Sequence, residues 1–368
     1  MRTVVPAFSS ASAEQRAAAL TASYAMEASN PLARYRVARC ATAEEDQVRL
    51  ILALLGSGLV FLAQPAASQT YPAKPIHLLV PYAPGGPADI AARLVGAKLT
   101  EAWGQQVVVE NRPGGNGFIA MTAAAKSAPD GYTLVMATIG EAAVSPVLFK
   151  EVPYNIERDF APISLISDAT IVLATHGEAP FKSVADVIAA AKAQPGRISV
   201  GSPGNGTVNQ IVLEWMALNT GTKFQHIPYK GSAPAANAIA ANEIPLGMLA
   251  SSSVAPHLKS GRVRVLAVAS ARRSRFGPDW PTLQEAGVAE VNASTWTALL
   301  APKDTPQSVI DKLNAEVVKV LEMPDIKERF AAGGVDTIPS SSAGLAARIK
   351  QDTAQFGMIV QKADIKPD

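Results

Sequence analysis

Cysteine is almost missing from this 368-residue chain, Cys40 being the only one. A lone thiol closes no internal disulfide and builds no thiolate metal cluster, so neither device staples the fold. Histidine is scarce as well: His77, His176, His226 and His257 stand at spacings that suit no metal site. His77 and His226 alternate with apolar residues, as structural histidines within strands do. Charged residues make up 17% of the chain and nearly cancel, leaving a formal charge of +2. No basic block marks a nucleic-acid footprint, and the nearest candidate, Arg272, Arg273 and Arg275, reads as a solvated loop. Also lacking are the G-x-S-x-G nucleophile elbow, the H-E-x-x-H zinc helix and the G-x-x-x-x-G-K-[ST] phosphate loop. No catalytic residue, metal ligand or cofactor is assigned on this basis.

Long apolar runs are also rare. Leu50 to Ala63 (LILALLGSGLVFLA) is the strongest, and its fourteen residues fall short of a membrane span, which needs about 20. Arg49 precedes it and the small residues Ala66 and Ser68 follow, the pattern of a secretory signal cleaved after Ala67 or Ser68. An N-terminal membrane anchor is the competing reading, but no stop pattern follows the run. The stretch ahead of Leu50 is too long for an ordinary signal n-region, so translation is expected to begin near Val48. Residues 1–68, Cys40 included, are therefore set aside as leader. The mature chain is expected to be exported, nearly neutral and monomeric, without stable membrane insertion.

What is present is apolar residues, 48% of the chain, arranged as alternating strand and helix signals from Pro75 onward. Strands are expected at Gln106 to Glu110, Tyr132 to Thr138, Ile163 to Ser167, Thr170 to Thr175, Phe224 to Pro228, Pro245 to Ala250, Val263 to Ser270 and Thr295 to Leu300. Helices are expected at Gly117 to Lys126, Ser183 to Lys192, Ala233 to Ala241, Ser253 to Lys259, Pro306 to Leu321, Pro324 to Ala332 and Ala343 to Lys362, with a turn at Ile139 to Glu141. Such alternation implies parallel or mixed sheets covered by helices, an α/β fold.

Two glycine elbows stand out. In IHLLVPYAPGGPADIAAR the apolar run Ile76 to Val80 breaks at Pro81, Pro84, Gly85 and Gly86, and a helix follows from Ala88. Downstream, Ile198 to Val200 feeds GSPGNG (Gly201 to Gly206) and a helix from Thr207 to Leu218. Each elbow leaves first-turn N–H groups without intrahelical partners above a strand end, where open α/β sheets bind ligands. If each elbow belongs to its own sheet, the chain makes two lobes: residues 69–170 with 294–368, and residues 171–293 between. The crossing is then expected near Ile171 and the return near Ser294.

A carboxylate at a helix N-terminus gains about 0.3–1 kcal/mol from the dipole. Charge-assisted hydrogen bonds add about 1.5–3 kcal/mol each, so two elbows can grip a small anion. Gly85, Gly86, Ala88, Gly204, Asn205, Gly206 and Thr207 are the expected anion contacts, with Tyr82, Ala83 and Pro84 in the first turn beside them. Asp89 is expected at the helix N-terminus, paired with Arg93 four residues on, or else on a donor group of the ligand. Thr138, Ser202, Thr207 and Ser251 are hydroxyls at strand ends, either helix caps or ligand contacts, and Asn205 and Asn209 could present amides. Gly115-Asn116-Gly117 with Ala120 fits the looser dinucleotide fingerprint, yet Pro113 intervenes and no acidic residue follows at the required strand end.

The segments VPYAPGGPADIAAR, VVVENRPGGNG, APDGYTLVMAT, QPGRISVGSPGNGT and IPYKGSAPA occur in one order. So ordered, they resemble the extracytoplasmic solute receptors of tripartite tricarboxylate transporters, the Bug (Bordetella uptake gene) family. The likeness runs from about Tyr71 to Ile365, and ENRPG, PDGYTL and PYKG are its specific motifs. It implies a type II periplasmic-binding-protein fold: two α/β lobes, a hinge of crossing strands, and a carboxylate held between the elbows through ordered waters. It also implies a periplasmic location and handover to a permease of one large and one small membrane subunit, or presentation to a sensor protein. An exported α/β enzyme acting on carboxylates is the alternative from a different class. The chain departs from the family where Asn209 replaces a usual histidine, where Asn242 to Pro245 replaces Gly-Gln-Val/Ile-Asp, and where Ser145 precedes Pro146 in place of asparagine.

Overall fold

The computed structural model describes residues 71–289, 291–362 and 365; the expectations for residues 1–68 lie outside the described residues. In chain order the elements are β1 (Ile76–Val80), α1 (Pro87–Trp103), β2 (Val107–Asn111), α2 (Phe118–Ala125), β3 (Thr133–Thr138), α3 (Ser145–Leu148), α4 (Ile156–Asp159), β4 (Phe160–His176), α5 (Val184–Ala193), β5 (Ser199–Ser202) and α6 (Val208–Thr220). Then come β6 (Gln225–Pro228), α7 (Ser232–Ala240), β7 (Leu246–Ala250), α8 (Ser251–Leu258), β8 (Val263–Val268), β9 (Ser294–Pro302), α9 (Gln307–Glu322), α10 (Pro324–Ala332), β10 (Val335–Thr337) and α11 (Ser342–Lys362).

Local chemistry sets several of these boundaries. Helix α1 begins with Pro87, whose fixed φ suits the first helical position, and stops at Gly104 in the left-handed region. Helix α5 is capped by Ser183, and Asp186 completes a capping box, each side chain bonding the other's backbone. Helix α6 is capped by the Thr207 side chain and closed by left-handed Gly221.

The strands form one mixed, curled sheet in the order β2-β1-β3-β9-β4-β7-β5-β6, with β8 and β10 also paired to β4. Strands β1, β2 and β3 run parallel, as do β5, β6 and β7. Strand β4 joins the two groups. From Phe160 to Thr170 it pairs antiparallel with β9, and from Ile171 to His176 with β7 and β8. The result is two α/β lobes that share β4, each with a parallel βαβ unit whose strand ends point toward the same cleft.

The two β-rich runs expected at Ile163 to Ser167 and Thr170 to Thr175 are therefore one 17-residue strand. Irregular register between Pro162 and Ser164 and between Leu165 and Ser167 lets it bend past its partner. The turn expected at Ile139 to Glu141 is a wider structure, a π-helical turn over Gly140–Val144 that runs into α3. Behind it, the Trp296 indole is fully buried and donates to Asp352 of α11 at 2.7 Å. Arg348 donates to the same carboxylate.

Candidate functional site

The first elbow lies between β1 and α1. Gly85 has φ +89°, a conformation that side chains resist, and an added Cβ would sit 3.2 Å from the Ala233 methyl. Its N–H donates to Asp89 Oδ2 at 3.0 Å. Arg93 donates to the same carboxylate, and the Asn111 amide donates to Asp89 Oδ1 at 2.9 Å and to the Tyr82 carbonyl at 3.0 Å. Asp89 thus ties the turn together from inside the helix N-terminus, with the Arg93 pair that the spacing suggested. Burial pushes its carboxyl up, but the hydrogen bonds from Arg93, Gly85 and Asn111 prevail and hold it below the usual carboxylate range.

The second elbow lies between β5 and α6. Gly206 has φ +72°, and an added Cβ would lie 2.3 Å from the Phe149 ring. Its N–H donates to Gln210 Oε1 at 2.8 Å, while the Gly204 N–H donates to Ser202 Oγ at 3.1 Å. Thr207 Oγ1 donates to the Gly204 carbonyl at 2.7 Å and caps the Gln210 N–H. Ser202 Oγ lies 2.6 Å from His226 Nε2. His77 Nδ1 meets Glu110 Oε1, so His77 and His226 both have structural partners.

These bonds change the expected division of labour. The N–H groups of Gly85, Gly204 and Gly206 are consumed within the turns they build. The first-turn groups of Ala88 in α1, and of Val208 and Asn209 in α6, are left without intrahelical acceptors.

Between the elbows lies a cavity of about 20 Å³, room for about one water. Its walls include Tyr82, Gly86, Ala88, Thr138, Thr207 and Asn209, all anticipated from sequence. Pro87, Pro203, Val208, Ser232 and Thr295 complete it. Of the remaining anticipated residues, Ala83, Pro84, Gly85 and Asp89 frame the first turn, while Ser202, Gly204, Asn205 and Gly206 frame the second. Ser251 is not brought to the cavity; its hydroxyl donates to the Gly334 carbonyl at 2.9 Å. The two sides touch directly where the Ala83 N–H donates to the Lys230 carbonyl at 2.9 Å.

Two features of the walls carry chemistry. Asn209 is 2% exposed, and its Nδ2 has no hydrogen-bond partner; an orphaned donor of this kind is costly unless a ligand or water meets it. Bonded to the wall residues Tyr82 and Thr138 is Glu141, which sequence reasoning missed as part of a turn. It is 1% exposed. Tyr82 Oη lies 2.5 Å from its Oε1, and Oε2 accepts from both the N–H and the hydroxyl of Thr138, at 2.8 and 2.7 Å. Tyr154 donates to its carbonyl. Burial pushes the Glu141 carboxyl above its ordinary value against the pull of these hydrogen bonds. Burial, and then Glu141 itself, hold the Tyr82 and Tyr154 hydroxyls well up. The fit is close: a Cβ on Gly117 would come within 2.6 Å of Glu141 Oε1. A lone acid inside the apolar run MATIGEAAV was the available signal. Among the described residues no cluster of His, Cys, Asp and Glu could hold a metal ion, and no helix is long and apolar enough to cross a membrane.

Two α/β lobes that share strand β4, with helix N-termini meeting across a cleft, define a type II periplasmic-binding-protein fold. The chain belongs to the tripartite tricarboxylate transporter receptor family, whose sequence profile matches residues 91–365. Protein BugT of Bordetella pertussis is 34% identical over 306 residues, 83% of this chain and 94% of that one. Among solved structures, Rpa4515 of R. palustris with adipate is 30% identical at a TM-score of 0.78, covering 81% of this chain and 100% of that chain. MatC of Rhodopseudomonas palustris with bound malate is 27% identical at a TM-score of 0.76, covering 79% and 100%. The family consists of solute-binding receptors rather than enzymes.

Proposed function

We infer that this protein is a periplasmic receptor that captures a small carboxylate between its two lobes and delivers it to a tripartite tricarboxylate-type membrane transporter. The lobes are residues 69–170 with 294–368, and residues 171–293, and the leader over residues 1–68 is removed on export. The reading rests on one observation above all: the N-termini of α1 and α6 and the unpartnered Asn209 Nδ2 converge on a single cavity. Backbone N–H groups of Ala88, Val208 and Asn209 and the Asn209 amide then hold the carboxylate, with Gly86 and Thr207 at its flanks. Four or five charge-assisted bonds of about 1.5–3 kcal/mol, set against an association cost of about 4–15 kcal/mol, leave room for a micromolar dissociation constant, near −8 kcal/mol. The adipate and malate of the two R. palustris proteins support a carboxylate. An organic acid needs more space than the cavity's about 20 Å³, so capture entails parting of the lobes and closure over the guest.

The test is a thermal-shift screen of organic acids on ligand-stripped mature protein, followed by calorimetry on each acid that raises the melting temperature. Gly86 has an ordinary extended conformation (φ −85°), and an added Cβ would meet nothing within 4 Å. Gly86→Pro is therefore expected to keep the fold while it removes an N–H beside the cavity and weakens binding about tenfold. Unchanged affinity in this variant would count against the cradle at the first elbow, and turnover of a bound acid would count against the receptor reading.

A further inference from the structure

The elbows supply donors; the side of the cavity formed by Tyr82 and Thr138 is of a different kind. Glu141 collects the hydroxyl protons of two cavity-lining residues. The Thr138 hydroxyl already accepts from the Gly140 N–H at 3.1 Å, so its own proton goes to Glu141 Oε2 at 2.7 Å. Tyr82 Oη, 2.5 Å from Oε1, donates there. With these protons committed, the hydroxyls of Tyr82 and Thr138 can offer a solute only lone pairs. Both oxygens sit close to the second elbow: the position of a Cβ on Gly140 is 3.2 Å from Thr138 Oγ1, 3.4 Å from Tyr82 Oη and 3.5 Å from the Gly206 carbonyl.

We propose that Glu141 sets the hydrogen-bond polarity of this wall, so that the receptor selects carboxylates bearing a hydroxyl or ammonium group on the carbon next to the carboxyl. The carboxylate faces the α1 and α6 N-termini and Asn209, and the neighbouring donor meets Tyr82 and Thr138. An unsubstituted acid offers no donor to Tyr82 Oη, and leaves Thr138 Oγ1 with only the Gly140 N–H that it already has. Tyr82 and Thr138 line the same small cavity as Ala88, Val208 and Asn209, which places the donor beside the carboxylate and not far along the chain. Glu141 acts through Tyr82 and Thr138 and is a positioning residue. The inference rests on the carboxylate-receptor reading above.

The reading and the inference fail differently. Calorimetry on the mature protein takes a panel of mono- and dicarboxylates, each with its 2-hydroxy and 2-amino derivative. Wild type is expected to bind at least one derivative about tenfold more tightly than its parent acid. In Glu141→Gln the amide keeps an oxygen for Thr138 and turns an N–H toward Tyr82 Oη, which frees the Tyr82 proton for the solute. That variant is expected to hold a parent acid and its 2-amino derivative within about threefold of each other, with the loss on the ammonium acid, which now meets a donor, while the 2-hydroxy derivative, able to accept that proton, keeps its preference. Tyr82→Phe, which removes one acceptor outright, is expected to narrow the preference as well and serves if the Gln variant does not fold. Parent acids bound as tightly as their derivatives by wild type would overturn the inference and leave the receptor reading standing. A preference untouched in both variants would do the same. Binding of no acid in the panel would overturn the receptor reading and this inference with it.

Discussion

Asp89 is the residue around which the first elbow is organised. It is buried, it takes the Gly85 N–H and the Asn111 amide, and it holds Arg93 from the solvent side. Asp89→Asn keeps the shape and removes the charge that these donors favour. It is expected to cost about 1–3 kcal/mol at neutral pH, read from urea unfolding. Because the folded carboxyl lies below its ordinary value of about 3.9, its contribution is complete above that value and fades as pH falls through the folded value. The gap between wild type and variant is therefore expected to shrink in acid, and a constant gap from neutral pH to pH about 3 would contradict the account. The i,i+4 spacing of Asp89 and Arg93 was legible in the sequence, because both partners lie on one helix. Asn111 was not, since it reaches Asp89 across a parallel strand pairing that no local spacing encodes.

The same contrast governs the elements. Helices and strands with strong local punctuation were readable: Ser183 before α5 and the glycine runs before α1 and α6. Strand β4 was read as two pieces because Asp168 interrupts its apolar pattern. In the folded chain Asp168 stays in register opposite Trp296 and accepts from Ser294. Strand β10 has three residues, Val335–Thr337, too few to carry a period. The turn at Gly140–Val144 is buried throughout, so its residues show no amphipathic spacing, and its function lies in contacts from Tyr82 and Tyr154 that are distant in sequence. One long-range tie can be tested directly: Asp352 of α11 gives the buried Trp296 indole of β9 its acceptor. Asp352→Ala orphans that N–H and is expected to lower stability by about 1–3 kcal/mol. Urea unfolding followed by tryptophan fluorescence reads the loss; no loss would mean that α11 is held by its apolar contacts alone.

At the scale of the molecule, alternation of strand and helix announced the architecture, and the paired elbows announced two helix N-termini, which line one cavity. Which N–H groups the turns leave open was hidden in the sequence. A glycine amide looks available in a sequence, yet a tight turn needs internal hydrogen bonds, and those of Gly85, Gly204 and Gly206 satisfy it. The proton ownership among Tyr82, Thr138 and Glu141 was hidden for a related reason, since it depends on two segments, 59 residues apart, that meet only in the folded chain.

The main-chain bond from Ala83 to Lys230 gives this molecule a built-in clock. Solvent deuterium can replace the hydrogen on the Ala83 nitrogen only when that bond breaks, so the uptake rate counts how often the halves come apart. With a captured acid in place the exchange is expected to slow in step with occupancy. Mass spectrometry of peptides across Tyr82 to Pro84 reports it, and an uptake rate indifferent to every acid that raises the melting temperature would show that the bond does not follow the gate.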